Sequence, residues 1–207
     1  MARLTPVFEG LQADGRAWSI DSQKPVVMQA AVQAGACMIN DVNALQAKGA
    51  IDVAAAADVP VVLMHRQGAA KTMQSQPQYA DVVAEVIAFL QMRIDACEKG
   101  GVARHNIVVD PGIGFGKTLE HNLALLRATS RIRRETGLPI MIGVSRKSMF
   151  RDLLGIDAPE DRVSASAWTA AWTATQGADY LRVHDVMETR HAWKLMRALT
   201  ISGAATP

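Results

Sequence analysis

The chain has 207 residues, 49% of them hydrophobic, and a formal net charge of +2. That length suffices for one domain with a large core, and that composition excludes a disordered chain. The charge is too small to argue for a nucleic-acid or membrane surface, no basic run carries interleaved aromatics, and no apolar stretch reaches the roughly 18 residues of a spanning helix.

Residues 4–13 read as a short helix with Val7, Phe8 and Leu11 on one face, stopped by Gly15. A strand over Ala17–Asp21 follows. Pro25 sits where a first helical turn tolerates proline, and the helix Val26–Ala34 is closed by Gly35. The strand Cys37–Asp41 precedes a small-residue helix, Ala50–Ala57, and Pro60 opens the strand Val61–Met64. The segment Arg66–Gln78 is the longest irregular stretch, a length that marks functional or mobile loops. The helix Tyr79–Lys99 repeats Val82, Val83, Val86, Phe89, Leu90, Ile94 and Cys97 at three- and four-residue spacing. Gly100-Gly101 ends it. The strand Ile107–Asp110 leads into a Gly-rich turn and a helix over Leu119–Thr136. Gly137 and Pro139 precede the strand Ile140–Val144. A short helix at Met149–Leu154, a polar connection, the helix Arg162–Gln176, the strand Tyr180–Val183 and the helix Val186–Leu199 complete the order. The tail Ile201–Pro207 is small and polar and is expected to fray.

Six of the apolar runs end in polar residues: Asp21, Asn40-Asp41, Met64-His65, Asp110, Ser145-Arg146-Lys147 and Arg182-His184-Asp185. Strand, polar tip and helix, repeated along a chain, is the signature of a parallel α/β fold. In a β/α barrel the strand C-termini converge on one face, which carries the chemistry. A closed barrel of this type needs eight units, whereas an open doubly wound sheet can have six, so periodicity alone does not choose between them. No linker or low-complexity segment interrupts residues 1–207, which read as one domain. The N-terminus lacks the apolar core of a secretion signal. Cys37, in a predicted buried strand, and Cys97, in a helix, lack metal or redox spacing, which fits a reducing cytoplasm.

The densest segment is Asp110-Pro111-Gly112-Ile113-Gly114-Phe115-Gly116-Lys117-Thr118. It is not a P-loop, because Pro111 stands where the first glycine of that motif belongs. It reads as a wide turn in which glycines permit unusual dihedrals and close backbone approach, with Phe115 as a flat apolar wall and Lys117 as a solvated or helix-end residue. Taken singly, Asp21 and Asp41 could be helix caps, and His65 and His184 structural histidines.

The segments IDSQKP, GACMINDV, VPVVLMH, IVVDPGIGFGKTLEHN, IGVSRKS and LRVHDV, in this order, resemble the dihydropteroate synthases of the pterin-binding barrel family. The resemblance covers almost the whole chain. It implies a TIM barrel, and a transferase that joins a dihydropterin pyrophosphate to 4-aminobenzoate in folate synthesis and releases pyrophosphate. It also implies roles. Asp21 lies beside the pterin, Asn40 hydrogen-bonds its ring, and Asp110 reads its 2-amino and ring N–H edge. Lys147 approaches the pterin carbonyl and N5, and Arg182 stacks on the ring. Met64 and Phe115 are apolar contacts, and Gly143 permits close backbone approach. Ser145 lies near the aminobenzoate carboxylate and His184 near the pyrophosphate. These roles agree with elementary chemistry. Adjacent donors on a pterin edge suit a carboxylate and an amide oxygen, a guanidinium stacks on flat rings, and cations suit a departing diphosphate.

Measured against that resemblance, the chain reads as six of eight β/α units, an N-terminally truncated barrel beginning at the family's second helix. The family's Mg²⁺ is expected, but its protein ligand would lie in the segment before residue 1, so no metal ligand is assigned. Low turnover is expected for the same reason. Trp168, Trp172 and Trp193 stand on the last two helices, which form the dimer face in the family, so a cytoplasmic homodimer without nucleic-acid or membrane partners is expected. A non-catalytic pterin-binding paralogue or fragment, or a methyltetrahydrofolate-binding methyltransferase, are the alternatives; the Ser-Arg-Lys-Ser segment at 145–148 favours the synthase.

Overall fold

The apolar runs at 61–64, 107–110 and 141–142 become strands buried throughout, as inner strands of a parallel sheet are, whereas those at 19–21 and 180–181 are exposed or half-buried. The computed structural model describes residues 1–68 and 77–200, so most of the irregular stretch after Met64 and the tail Ile201–Pro207 lie outside the described residues. The described residues form two compact units, one of residues 1–65 and 88–109, the other of residues 66–68, 77–87 and 110–200. No helix among them is long and apolar enough to cross a membrane.

The first unit begins with α1 (Thr5–Asp14), which ends at Gly15 in a left-handed conformation with φ 69°. There follow β1 (Ser19–Asp21), α2 (Pro25–Gln33), β2 (Met38–Asp41), α3 (Ala50–Ala57) and β3 (Val61–Met64). The sheet continues to β4 (Ile107–Asp110) in the order β1-β2-β3-β4. β1 and β2 are parallel with Asp21 opposite Asn40, and β2 and β3 are parallel with Asp41 opposite Leu63. Ile39, Val61, Val62, Leu63, Ile107 and Val109 are fully buried. Phe8 and Trp18 stack with centroids 5.4 Å apart, which pins α1 beside Ala31 and Ala36.

The connection after β2 is held by one carboxylate. Asp41, fully buried, accepts from the Asn43 N–H at 2.7 Å and the Leu45 N–H at 2.9 Å. These bonds wind Ala44 and Leu45 into the left-handed region at φ 49° and 54°. Arg93 donates to the Ala44 carbonyl at 2.8 Å from the far side. Asp41 therefore shapes a turn and does not cap a helix. Cys37 departs from its expected burial. It precedes β2, is exposed, and its thiol lies 3.2 Å from the Trp18 carbonyl.

The second unit contains the start of α4 (Val82–Lys99), which the first unit completes. The helix begins at Val82, three residues later than its apolar spacing predicts. Asp81 accepts from the N–H groups of Val83 and Ala84, both at 3.0 Å, and Glu85 accepts from Ala80 at 2.7 Å, so the capping pair sets the start. The expected helix over 119–136 is two, α5 (Leu119–Arg127) and α6 (Thr129–Thr136). They break at Ala128, where the Thr129 hydroxyl donates back to the Leu126 carbonyl at 2.7 Å. Next come β5 (Met141–Ile142), α7 (Met149–Leu154), α8 (Val163–Thr175), β6 (Tyr180–Leu181) and α9 (Val186–Thr200). β5 and β6 are parallel, with Met141 opposite Tyr180 and Ile142 opposite Leu181. Both strands are shorter than their apolar runs, because the chains leave the ladder after Ile142 and Leu181. α8 and α9 pack together, and they leave Trp168, Leu195 and Leu199 exposed.

Removing the carboxylate at Asp41 strands two amides in a dry turn. Asp41→Ala is expected to lower stability by about 2–3 kcal/mol, read as a lower urea midpoint at unchanged slope. A loss under about 0.5 kcal/mol, as for an ordinary surface change, would show that water replaces those bonds.

Candidate active site

In the first unit, strand register brings Asp21 and Asn40 together. They are opposite each other on β1 and β2, and the Asn40 amide donates to the Asp21 carboxylate at 3.1 Å. That bond fixes which way the Asn40 amide faces. Its other atom, Oδ1, is buried and has no hydrogen-bond partner among the described residues. An orphaned buried acceptor is costly to the fold alone, so it is available to a ligand donor. Asp21 also lines an open cleft of about 520 Å³ with Ser22, Gln23 and Lys24. Met64, at the end of β3, is buried, as is His65, whose ring meets Phe89 edge-on at 4.9 Å. His65 is thus a packed core histidine.

In the second unit the Gly-rich turn is wound around its own carbonyl groups. Asp110 is buried, and its carboxylate accepts from the Gly112 N–H at 2.7 Å. Gly112, Gly114 and Gly116 have φ of 69°, 81° and 65°. That left-handed winding turns the carbonyls of Ile113, Phe115 and Gly116 to side-chain donors. Lys147 donates to Ile113, Lys117 to Phe115 at 3.1 Å, and the Tyr79 hydroxyl to Gly116 at 2.8 Å. Asn122 closes the far side. Its oxygen accepts from Gly114 N–H and its amide donates to Thr118, at 2.7 and 2.8 Å. Thr118 caps α5 through His121 in a reciprocal pair.

Two of the glycines are required by contact as well as by dihedral. A methyl group on Gly116 would stand 2.3 Å from the Gln67 carbonyl oxygen, and one on Gly114 would stand 2.8 Å from Lys147 Cδ. Gln67 in turn exchanges two bonds with Gln78, so the ends of the long connection are tied to the turn.

Lys147 arrives from the connection after β5. Arg146 beside it is left-handed at φ 58°, an unfavourable state for a long side chain. Four bonds hold it there. Its guanidinium grips Asp185 at 3.0 and 2.5 Å, its N–H donates to Ser166 at 2.9 Å, and its carbonyl accepts from buried Arg162 at 2.9 Å. Lys147 is thereby sent over the Phe115 ring, with Nζ 4.2 Å from the centroid.

Extending the β5–β6 register by a few residues predicts the next contacts. Gly143 falls beside Arg182, and Ser145 falls beside His184, whose Nδ1 lies 2.9 Å from the Ser145 hydroxyl. Ser145 and His184, expected to serve different substrates, are one hydrogen-bonded pair. A methyl group on Gly143 would meet nothing of the protein closer than 3.8 Å, so the second unit itself does not demand glycine there.

Charge in this unit is unbalanced. Asp110 faces Lys147, Lys117 and Arg182, one carboxylate against three cations. Burial pushes the Asp110 carboxyl up, against the pull of the Gly112 N–H and the cations. Burial pushes Lys117 down to about 7 and Lys147 down to about 8, with Asp110 opposing in each case. Lys117 is the residue the sequence misplaces. It was expected in solvent or at a helix end and is only 4% exposed. The clue lay in its neighbours, since a residue inside a turn of left-handed glycines has backbone carbonyls within reach. Arg162 was missed for a different reason, because a charged residue heading a helix is ordinarily solvated.

These shifts carry a sign. Between about 7 and 10.5 the unfolded chain holds the Lys117 and Lys147 protons that the folded chain has released, so stability rises with pH across that range. Burial raises Cys97 from 9.0 to about 11 and Tyr79 from 10.0 to about 12, which opposes the rise above pH 9. Asp110, also raised, adds stability only as pH falls through its folded pKa. Thermal melts should therefore climb from pH 7 to pH 9 and flatten in Lys117→Met. An equally steep climb in that variant would show that Lys117 is not a source of the slope.

The family of pterin binding enzymes matches residues 1–184. The chain is 42% identical over 199 residues to dihydropteroate synthase of Escherichia coli K12, covering 96% of this chain and 70% of that protein. Among solved structures, dihydropteroate synthase from Stenotrophomonas maltophilia is 48% identical with a TM-score of 0.91, covering 97% of this chain and 75% of that one. The Xanthomonas albilineans enzyme in complex with 7,8-dihydropteroate is 43% identical with a TM-score of 0.89, covering 100% of this chain and 74% of that one. A parallel α/β chain with acceptors and cations at its strand ends, matched at this level over nearly all its length, belongs to the pterin-binding enzymes and, within them, to the dihydropteroate synthases.

Proposed function

We propose that the chain binds a dihydropterin methyl diphosphate and 4-aminobenzoate and joins them into dihydropteroate. The C–N bond forms between the aminobenzoate amine and the methylene carbon. The C–O bond to the diphosphate breaks, pyrophosphate departs, and the amine loses one proton to solvent. The observation that carries this reading is the composition around Asp110, where one buried acceptor is set among three cations. An acceptor-only carboxylate suits the adjacent donors of a pterin edge, and the surplus of positive charge suits an anionic leaving group.

The remaining roles follow. Asn40 Oδ1 is a second acceptor for the pterin, oriented by Asp21. Phe115 and Met64 are apolar contacts, and the space beside Gly143 admits the ligand. Lys147 exchanges its bond with the Ile113 carbonyl for ligand oxygen or nitrogen, and Arg182 stacks on the ring. The Ser145–His184 pair receives anionic groups, the aminobenzoate carboxylate or the diphosphate. The parallel strand order supports a β/α barrel, whose strand C-termini carry such residues.

Among the described residues no three His, Cys, Asp or Glu side chains are grouped to hold a metal ion. Mg²⁺ keeps several waters and takes phosphate oxygens, so it enters the proposal as an ion brought by the diphosphate, with no step assigned to it. The exposed apolar side chains of α8 and α9 support a homodimer, and two free thiols support a reducing, cytoplasmic setting.

Asp110→Asn turns an acceptor-only group into a half-donor that faces donors. Pterin affinity should fall by about 1.5–3 kcal/mol, the worth of a charge-assisted bond. Titration calorimetry with a dihydropterin, wild type against variant, decides it, and equal affinities would remove Asp110 from the pterin site.

A further inference from the structure

Resting on the reading of the Ser145–His184 pair as the receiver of an anionic group, we propose that Ser145 is a positioning residue: its hydroxyl donates to His184 Nδ1, which leaves His184 a hydrogen-bond donor through Nε2 and withdraws Ser145 itself from the ligand.

The assignment follows from counting hydrogens. A serine hydroxyl has one hydrogen and two lone pairs, and a neutral imidazole has one N–H and one bare nitrogen. Two groups meet the Ser145 oxygen, both from His184: the backbone N–H at 3.2 Å and ring Nδ1 at 2.9 Å. The backbone N–H can only donate, so it takes one lone pair. If Nδ1 also donated, the hydroxyl hydrogen of a residue only 8% exposed would have no acceptor among the described residues. That is a costly state for a buried donor. Turned the other way, Ser145 gives its hydrogen to Nδ1 and every group is satisfied. The ring hydrogen then sits on Nε2, because the bond made by one ring nitrogen sets the state of the other.

The opposite orientation has its own signature. A histidine that acts as a base is commonly oriented by a carboxylate, which accepts from Nδ1–H and leaves Nε2 bare. The carboxylate next in the chain is Asp185, and both its oxygens are held by the Arg146 guanidinium, at 3.0 and 2.5 Å. That ion pair also ties the two connections together one residue beyond Ser145 and His184, which keeps their side chains within reach. His184 is exposed and Ser145 is buried, so the residue offered to a ligand is the histidine. Carboxylate and diphosphate oxygens are acceptors, and Ser145 has given its one hydrogen to the ring. An Nε2–H suits such an anion and does not suit removal of a proton from the aminobenzoate amine.

The test uses the full chain as wild type, Ser145→Ala, His184→Ala and the double variant. First, ¹⁵N NMR of the histidine-labelled, ligand-free chain reads the two ring nitrogens of His184 on the high-pH plateau of their own titration, assigned by their absence in His184→Ala. Wild type should show a protonated Nε2 and a bare Nδ1. Ser145→Ala should move Nδ1 toward the mixed value of a ring that exchanges between both tautomers. Second, calorimetry measures inorganic pyrophosphate and 4-aminobenzoate separately. Ser145→Ala should lose about threefold to tenfold in affinity, the worth of one neutral hydrogen bond, for the same anion that His184→Ala weakens. It should add nothing further in the double variant. A protonated Nδ1 in wild type, or a His184 spectrum unchanged by Ser145→Ala, overturns the proposal. So do additive losses, or a loss confined to the anion that His184→Ala leaves untouched, because Ser145 would then hold a ligand by itself. Should Ser145→Ala fail to fold, the wild-type spectrum decides alone. A wild-type chain that binds neither probe, or a His184→Ala chain that binds both as wild type does, defeats the reading of the site, while the NMR still judges Ser145.

Discussion

Burying the carboxylate of Asp110 dictates most of what surrounds it. A charge away from water must be answered by partners, and here they are the Gly112 N–H and the charges of two lysines, Lys117 buried and Lys147 half-buried. Each buried ammonium needs acceptors in turn. The turn after β4 supplies them from its backbone, the Phe115 carbonyl to Lys117 and the Ile113 carbonyl to Lys147. Those carbonyls face inward only because Gly112, Gly114 and Gly116 are left-handed. Any other residue at Gly116 would strike the Gln67 backbone as well as strain its own. One acid thus requires two bases, three glycines and, through Tyr79 and Gln67, the anchoring of the connection that follows β3.

Lys147 must also come from the correct direction, and a second device arranges this. Left to itself, Arg146 would avoid a positive φ. Ser166 and Arg162 hold its backbone from α8 and its entrance, while Asp185 holds its side chain. The Arg146 guanidinium keeps Asp185 below the ordinary carboxylate range. The strain at Arg146 is the kind that persists where surroundings over-determine a conformation, and it fixes the neighbouring side chain. A lysine so fixed gives up little conformational freedom when a ligand arrives, which is the advantage of preorganisation.

The parallel α/β order was readable because buried strands are continuous apolar runs ended by polar tips, and helices keep their three- and four-residue spacing. Asp21, Asn40, Asp110 and Lys147 were readable as strand-tip residues for that reason, and resemblance supplied their roles. What the sequence concealed depends on tertiary burial or on backbone state. Cys37 looked like a strand interior yet is exposed just before β2 begins. Lys117 looked solvated because a lysine beside a helix start ordinarily lies in water, and only the left-handed state of its neighbouring glycines brings a carbonyl within reach. The break at Ala128 hides within a good helical pattern, since it rests on a hydroxyl bonding backward from Thr129. Ser145 and His184 were assigned to separate ligands, because their adjacency exists only once β5 and β6 are in register. Local patterns report periodicity, whereas these features follow from partners far away in the chain.

The charge surplus around Asp110 joins stability to function. Burial, and then repulsion between neighbouring cations, lowers the pKa of both Lys117 and Lys147, with Asp110 opposing. The folded chain bears that cost near neutral pH. In the proposed reaction a diphosphate brings the missing negative charge, so the mutual repulsion of these cations is what the substrate would relieve. In that proposal pyrophosphate, carrying more charge at its new terminal oxygen, would be held better still as the C–O bond breaks, which is where stabilisation accelerates a reaction. Protonated lysines favour that anion, and the anion favours their protonation. On the proposed function, affinity for the leaving group and the titration of Lys117 and Lys147 would be linked through the same buried acid.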